Sequence, residues 1–425
     1  MKDREFKRLS EVHSAKGIPV FSPVASPGCH CPMHSAVSEG SKVKGLSMLV
    51  VGSAECTYYS RGPSNRRKGR LTPDETTLSW AYMLSENETV FGCRDGLEKA
   101  INEMLDLGAE PLLVVATCIP QLIGDDIEGL CDEIADERGA KVFAISIPHY
   151  SCISTSKGIS AFMGGMINVM DPMQKTPKRI NVLGGGRGTA VFYEMTLLLE
   201  SAGFNLLLLG SDNEIMDYIT AASASFNLVC SPTGLELAVK MREKFGIEYV
   251  DVSSLLSPDE ISAGFRMLEA LPGVNSPDLS EQFFEIKKLE REVTEILSGK
   301  CFALGPGATQ VPLRTASYLA GLGMVPAVLH IDELYPGELE CRQSILDMGF
   351  DPIVAHMVYE PIDSIYIRQI GADIVLGSSG HGHNGHEDML LGFERTIRLL
   401  DVCLRGTNGK GIKLHGSKSK KRGSR

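Results

Sequence analysis

Long apolar runs are missing from this sequence. No stretch of the 425 residues reaches the roughly eighteen consecutive apolar residues that a membrane span needs. The opening residues, MKDREFKRLSEVHSAKG, also lack the apolar core of a secretory signal. We therefore expect a cytoplasmic protein without a membrane partner.

Aromatic residues and positive charge are scarce as well. Aromatics make up 6% of the chain, with one Trp, which argues against a stacking platform for carbohydrate or single-stranded nucleic acid. The formal net charge of −11 makes nucleic acid a poor partner for the body of the protein. The P-loop motif G-x-x-x-x-G-K-[S/T] does not occur, so a partner would have to hydrolyse any ATP involved.

Two glycine-rich turns lack the full G-x-G-x-x-G fingerprint of a dinucleotide site. They read GGGRGTA (184–190) and GPGATQ (305–310), and each follows an apolar strand pattern. We interpret both as tight strand-to-helix turns.

Cysteine is plentiful by contrast. The chain has 11 cysteines, an odd number, and cytosolic disulfides are rare. Metal ligation, catalysis and packing as small buried side chains are the remaining interpretations.

Buried apolar strand patterns alternate with amphipathic helix patterns along most of the chain. Such alternation predicts an α/β protein with parallel sheets and right-handed crossovers. We predict three Rossmann-like, doubly wound parallel-sheet units with metal clusters between them. The predicted boundaries are an N-terminal segment (1–28), the first unit with the cluster cysteines (29–177), the second unit (178–298), the third unit with a C-terminal helix (299–408), and a basic disordered tail (409–425).

Several reactive side chains follow predicted strands. Ligands of open parallel sheets bind beyond the carboxyl ends of the strands. The residues at such positions are Cys56, Cys118, Cys152, Cys230, His381, His383 and His386. Cys31 instead precedes the first strand. Structural zinc sites usually show paired C-x₂₋₄-C elements. Here Cys31, Cys56 and Cys118 are 25 and 62 residues apart, which favours a polynuclear iron–sulfur cluster over a zinc knuckle.

These residues resemble component 1 of the nitrogenase superfamily, which includes nitrogenase chains and related tetrapyrrole reductases. The motifs that carry the resemblance are CTYYSR (56–61), VFGCRDGLEKAI (90–101) and CIPQLIGDDIEG (118–129). The resemblance implies that Cys56, Cys118 and Cys31 are cluster ligands, with Cys29 as the alternative to Cys31. It implies an [8Fe–7S] or [4Fe–4S] cluster at a subunit interface.

The resemblance also implies a position for a second, complex iron–sulfur cofactor. Cys230 would take the place of its single thiolate anchor, and His386 or a neighbouring histidine would complete the anchoring. Arg61, His381 and His383 are the candidate catalytic residues. Two positions that carry Gln and His in nitrogenase read Ala161 and Gly165 here, so we do not expect dinitrogen to be the substrate.

Our leading hypothesis is a catalytic subunit that reduces a small molecule with electrons from an ATP-dependent [4Fe–4S] reductase protein. A second component 1 chain, identical or homologous, would be the permanent partner. The alternative is a scaffold on which a nitrogenase-type cluster is assembled before transfer. Among the other cysteines, Cys152 stays open as a spare ligand beside His149 and Tyr150, and the rest are expected to pack in the interior: Cys93, Cys131, Cys301, Cys341 and Cys403.

Overall fold

The computed structural model describes residues 6–20, 31–65, 77–147, 154–184, 194–210, 213–357, 360–377 and 390–406. These residues form three parallel sheets of four strands each, with helices between the strands. The prediction of three parallel-sheet α/β units is therefore confirmed. No helix among the described residues is long and apolar enough to cross a membrane.

The first sheet has the strand order β2-β1-β3-β4. Its strands are β1 (Ser47–Gly52), β2 (Ser79–Met83), β3 (Leu112–Ala116) and β4 (Val142–Ser146). Its helices are α1 (Pro32–Gly40), α2 (Ala54–Asn65), α3 (Glu88–Phe91), α4 (Arg94–Asp106), α5 (Cys118–Ile123), α6 (Ile127–Arg138) and α7 (Thr155–Gly165).

The second sheet has the order β6-β5-β7-β8. Its strands are β5 (Arg179–Leu183), β6 (Asn205–Leu209), β7 (Phe226–Val229) and β8 (Tyr249–Asp251). The helices of this part of the chain are α8 (Glu194–Ser201), α9 (Ile215–Ile219), α10 (Leu235–Phe245), α11 (Pro258–Leu268) and α12 (Ser280–Leu297).

The third sheet has the order β11-β10-β9-β12. Its strands are β9 (Cys301–Leu304), β10 (Val325–His330), β11 (Ile353–Ala355) and β12 (Ile374–Leu376). Its helices are α13 (Pro312–Gly321), α14 (Glu338–Asp347), α15 (Glu360–Ile370) and α16 (Gly392–Gly406). In all three sheets the strand order reverses once, which is the doubly wound arrangement with a crevice at the reversal point.

Local sequence explains most of these elements. Every residue of β1 and β3 is buried, as expected for central parallel strands covered by helices on both faces. Helix α6 begins after Asp126, whose carboxylate accepts the Gly129 N–H at 2.9 Å, and ends at Gly139, which adopts φ 61°. A side-chain N-cap and a left-handed glycine are the ordinary start and stop signals of a helix.

The edge strand β2 was not predicted. Four of its five residues are exposed, so it carries no continuous apolar pattern. It is held by parallel pairing along β1, from Met48 opposite Ser79 to Gly52 opposite Met83.

The N-terminal residues lie against the third sheet. The Val354 N–H donates to the Lys7 carbonyl at 3.0 Å, and the His356 N–H donates to the Pro19 carbonyl at 2.8 Å. The predicted separate segment 1–28 therefore includes residues that extend a sheet formed more than 300 positions later. The predicted boundaries near 177 and 298 stay a prediction, and the predicted tail 409–425 lies outside the described residues.

Candidate cluster site

Three cysteines lie at the beginnings of three helices of the first unit. Cys31 is the N-cap of α1, Cys56 is in the first turn of α2, and Cys118 is the first residue of α5. Helices α2 and α5 follow β1 and β3, which are paired neighbours in the sheet. Cys56 and Cys118 are therefore brought to the same edge by the topology, although 62 positions separate them. All three thiols are partly buried.

The electrostatics of Cys31 indicate that the three thiols share one region. Burial raises the pKa of the Cys31 thiol most, and negative charge on Cys56 and Cys118 raises it further. The backbone N–H groups of His34 and Met33 act in the opposite direction, because they stabilise the thiolate at the start of α1. A bound cation would remove the repulsion among the thiolates and stabilise all three.

The spacing of the thiols does not suit a single ion. One group of three ligand-type side chains in the described part of the chain has all its ligand atoms within 4.8 Å of one another, and it contains none of these cysteines. Tetrahedral zinc, with Zn–S near ~2.3 Å, would require sulfur atoms about 3.8 Å apart. Three more widely spaced soft ligands fit a polynuclear iron–sulfur cluster.

Helix α7 holds Cys31 in place through close contact with α1. The Ser35 hydroxyl donates to the carbonyls of Pro32, at 2.9 Å, and Thr155, at 2.8 Å. A Cβ added at Gly158 would lie 2.0 Å from the Pro32 carbonyl oxygen. Only glycine allows the first turn of α7 to approach the start of α1 so closely.

The segment after Cys118 is fixed to the start of α4 by Asp125. Its carboxylate accepts the Cys93 N–H at 3.0 Å. Burial raises the pKa of the Cys93 thiol to about 12, and the hydrogen bond that this thiol donates to Asp125 contributes to the same shift. Gly124 ends α5 in the left-handed conformation, with φ 80°. The turn at Gly124 and the contacts of Asp125 explain why Gly and Asp follow the short helix that begins at Cys118. Sequence reasoning used the motif but missed the role of its first aspartate.

Cys230 lies directly after β7, as predicted, but its surroundings are closed. It is 5% exposed, and burial followed by the negative charge of Asp251 raises the pKa of its thiol strongly. The described residues around it enclose a cavity of about 10 Å³, with Glu194 and Leu391 among its walls. Such a space holds at most one water molecule. In this arrangement the described residues do not fit a second complex cofactor.

The positions that differ from nitrogenase also face the protein interior. A Cβ at Gly165 would lie 2.6 Å from Cγ2 of Ile145 in β4, so a histidine there would collide with the first sheet. Gly165 is buried, and Ala161 is partly buried. The described part of α7 therefore packs as a structural helix between sheet and α1.

Other predicted site residues cannot be placed. Of Arg61 only the helical backbone in α2 is described. The remaining ones lie outside the described residues: Cys29, His149, Tyr150, Cys152, His381, His383 and His386.

Apolar side chains are exposed beside the thiols. Phe91 in α3 is 84% exposed and Leu122 in α5 is 63% exposed, while Tyr58 in α2 is 69% exposed. Helices α3 and α5 contact each other, and we refer to Tyr58, Phe91 and Leu122 together as the α2–α3–α5 surface. Large exposed apolar side chains are typical of protein–protein contacts.

Comparisons with known proteins agree with this fold. A family model described as nitrogenase component 1 type oxidoreductase matches residues 31–400. Two relatives are named nitrogenase iron-molybdenum cofactor biosynthesis protein NifE. The one from Nostoc sp. (strain PCC 7120) is 28% identical over 69% of this chain and 61% of its own length. The one from Clostridium pasteurianum is 26% identical over 77% and 73%.

A nitrogenase molybdenum-iron protein alpha chain from Methanosarcina barkeri is 27% identical over 60% of this chain and 47% of its own length. The match thus spans less than two thirds of the Nostoc and Methanosarcina relatives. A solved structure titled "Nitrogenase Cp1 at pH 6.5" superposes with a TM-score of 0.64 over 93% of this chain and 95% of its own, at 15% identity. That likeness supports the fold alone. Because the family model covers most of the sequence, the resemblance is confirmed, and the chain belongs to the nitrogenase component 1 type oxidoreductase family.

Proposed function

We propose that this protein is a scaffold subunit on which a nitrogenase-type iron–sulfur cofactor is assembled before transfer to another protein. The observation that carries the proposal is the convergence of Cys31, Cys56 and Cys118 at three helix starts, in a chain whose relatives include several cofactor biosynthesis proteins named NifE. The thiolates would hold an iron–sulfur cluster, which supplies redox-active iron with exchangeable ligands.

The accessibility of the thiols supports a cluster shared with a second chain. All three are partly exposed, whereas Cys93 and Cys131 of the same unit are buried. Three thiolates leave part of a polynuclear cluster without protein ligands from this chain. The α2–α3–α5 surface lies beside them, and Phe91 and Leu122 would be covered by the partner. We propose a homologous or identical component 1 chain as that partner.

The catalytic alternative has less support. A catalytic subunit with a second cofactor would need space near Cys230, but this thiol is buried among mostly apolar side chains next to a cavity of about 10 Å³. Dinitrogen is disfavoured further as its substrate, because Gly165 packs against Ile145 and leaves no room for a histidine. A catalytic subunit would receive electrons from an ATP-dependent reductase protein and would turn over a small substrate.

Iron and acid-labile sulfide per chain, measured after anaerobic purification with the native partner, test the proposal. We expect several iron atoms per chain, lost in Cys118→Ser and retained in Cys301→Ser, a partly buried cysteine of the third sheet. When the protein is loaded with labelled iron and incubated with a cofactor-free nitrogenase component 1, the labelled iron should move to that component 1. Retention of the iron together with reductase-dependent substrate turnover would favour the catalytic subunit, and a chain without iron would refute both.

A further inference from the structure

Two histidines and an aspartate meet at the carboxyl edge of the third sheet. His330 is the last residue of β10, and His356 follows β11, its neighbour in the sheet. Asp332 lies two residues beyond His330. One ligand atom from each residue lies within 4.8 Å of the other two. The imidazole ring centroids are 5.2 Å apart.

The contacts of His356 leave one ring nitrogen free to bind a metal. Its Nδ1 lies 3.1 Å from the Ile331 carbonyl oxygen, which can only accept a hydrogen bond. In the neutral ring Nδ1 therefore carries the proton, and Nε2 has the lone pair. A histidine whose Nδ1–H is held by a carbonyl while Nε2 binds metal is the usual arrangement in metalloproteins. His356 is 5% exposed, so its ring is firmly oriented.

Asp332 is held by the first turn of α7. One of its carboxylate oxygens, Oδ2, accepts the Ser156 N–H at 3.2 Å. The other oxygen, Oδ1, lies 3.9 Å from Nδ1 of His356. The carboxylate is thus fixed in orientation, with one oxygen directed toward the histidines.

His330 is the ligand that must change when an ion binds. Its Nδ1 accepts the Met357 N–H at 2.9 Å, so the proton of the neutral ring is on Nε2. An ion at Nδ1 must displace the Met357 N–H, and an ion at Nε2 requires the ring proton to move to Nδ1, where it would face the same N–H. Either way the Met357 hydrogen bond is lost, which opposes binding, makes the affinity moderate and makes the ion exchangeable.

We propose that His330, Asp332 and His356 bind one exchangeable divalent transition-metal ion, separately from the cluster cysteines. Two imidazoles and one carboxylate are ligands of borderline softness, suited to Fe²⁺, Co²⁺ or Zn²⁺ and poorly suited to Mg²⁺ or Ca²⁺. Ser156, which anchors Asp332, is two residues from Gly158, which contacts Pro32 beside Cys31. The ion site and the first cluster cysteine thus lie against the same turn of α7.

Titration of the metal-free full-length chain with Co²⁺ tests the site. A Co²⁺ ion bound to nitrogen and oxygen ligands gives weak visible absorption without the intense near-ultraviolet bands of thiolate ligation. A variant with Cys31, Cys56 and Cys118 all changed to Ala removes the cluster site and should still bind about one Co²⁺ per chain with this spectrum. This outcome does not depend on whether the proposed scaffold function is correct.

Variants at the proposed ligands complete the test. His356→Ala should abolish the visible band, and Asp332→Asn, which preserves size and the Ser156 bond, should weaken binding at least about tenfold. His13→Ala, an exposed histidine, should bind like the parent. Thermal unfolding shows whether His356→Ala is folded. If it is not, His356→Gln is used in its place. The proposal is overturned if the triple-cysteine variant binds no Co²⁺, or if the folded His356 variant binds it unchanged.

Discussion

Replacing Gly158 by alanine should separate α1 from α7 and release the cluster. The added Cβ would lie 2.0 Å from the Pro32 carbonyl oxygen and 2.2 Å from the Ser35 hydroxyl oxygen, where an ordinary contact begins near 3.4 Å. The Ser35 hydroxyl can rotate away, but the Pro32 carbonyl belongs to the backbone. The start of α1 must therefore move by about 1.4 Å, and Cys31 is the residue immediately before it.

The sign of the stability change makes this substitution informative. An alanine in a helix is normally more stable than a glycine by ~1 kcal/mol. At Gly158 we expect instead a loss of about 1–3 kcal/mol, the usual cost of overpacking. Gly321 in α13 is the matched control, because a Cβ there meets nothing within 4 Å. Gly321→Ala should therefore be neutral or stabilising.

The assay combines thermal unfolding with iron content of the anaerobically purified protein. We expect Gly158→Ala to lower the unfolding temperature and the iron per chain, while Gly321→Ala changes neither in that direction. Full iron content and parental stability in Gly158→Ala would show that the α1–α7 contact does not position Cys31, and the reasoning would fail.

Three further predictions concern a helix start, a buried acid and the exposed surface. Asp126→Ala removes the N-cap of α6 and should cost about 1 kcal/mol, seen as roughly fivefold faster hydrogen exchange at Gly129. Burial raises the pKa of Glu338 from 4.5 to about 7, so the folded state binds this proton more tightly than the unfolded state does. The contribution of Glu338 to the free energy of unfolding should be full below pH 4.5 and should fall by roughly 3 kcal/mol as the pH rises through 7. In urea unfolding measured across this pH range, Glu338→Gln should lack this pH dependence. Phe91→Ser should weaken association with the partner chain in analytical ultracentrifugation without lowering the unfolding temperature, since the ring is 84% exposed.

The sheets were predictable because their central strands are apolar at nearly every position. Fully buried strands such as β1 and β3 appear in sequence as continuous apolar runs, and the helices between them have clear caps, as at Asp126 and Gly139. From that alternation the proximity of Cys56 and Cys118 also followed, since residues after paired parallel strands share an edge. The family resemblance was needed to choose Cys31.

The features that the sequence did not predict depend on contacts between residues far apart in the chain. Strand β2 is exposed and depends on its pairing with β1, so its own residues gave no signal. His330 and His356 come together only because β10 and β11 are neighbours, and no motif joins them. The closed surroundings of Cys230 arise from side chains of several separate elements, which spacing along the chain cannot reveal.

The pairing of the N-terminal residues with the third sheet has a consequence for how the protein is made. Arg8 donates to the carbonyl of Asp351, a separation of 343 residues. At a synthesis rate of ~5–20 residues per second, residues 6–20 wait roughly 20–70 s for their partner strand to leave the ribosome. These N-terminal residues thus gain their backbone partners only when translation is nearly complete, so in a nascent chain they should become protected from proteolysis late, after the third sheet has formed.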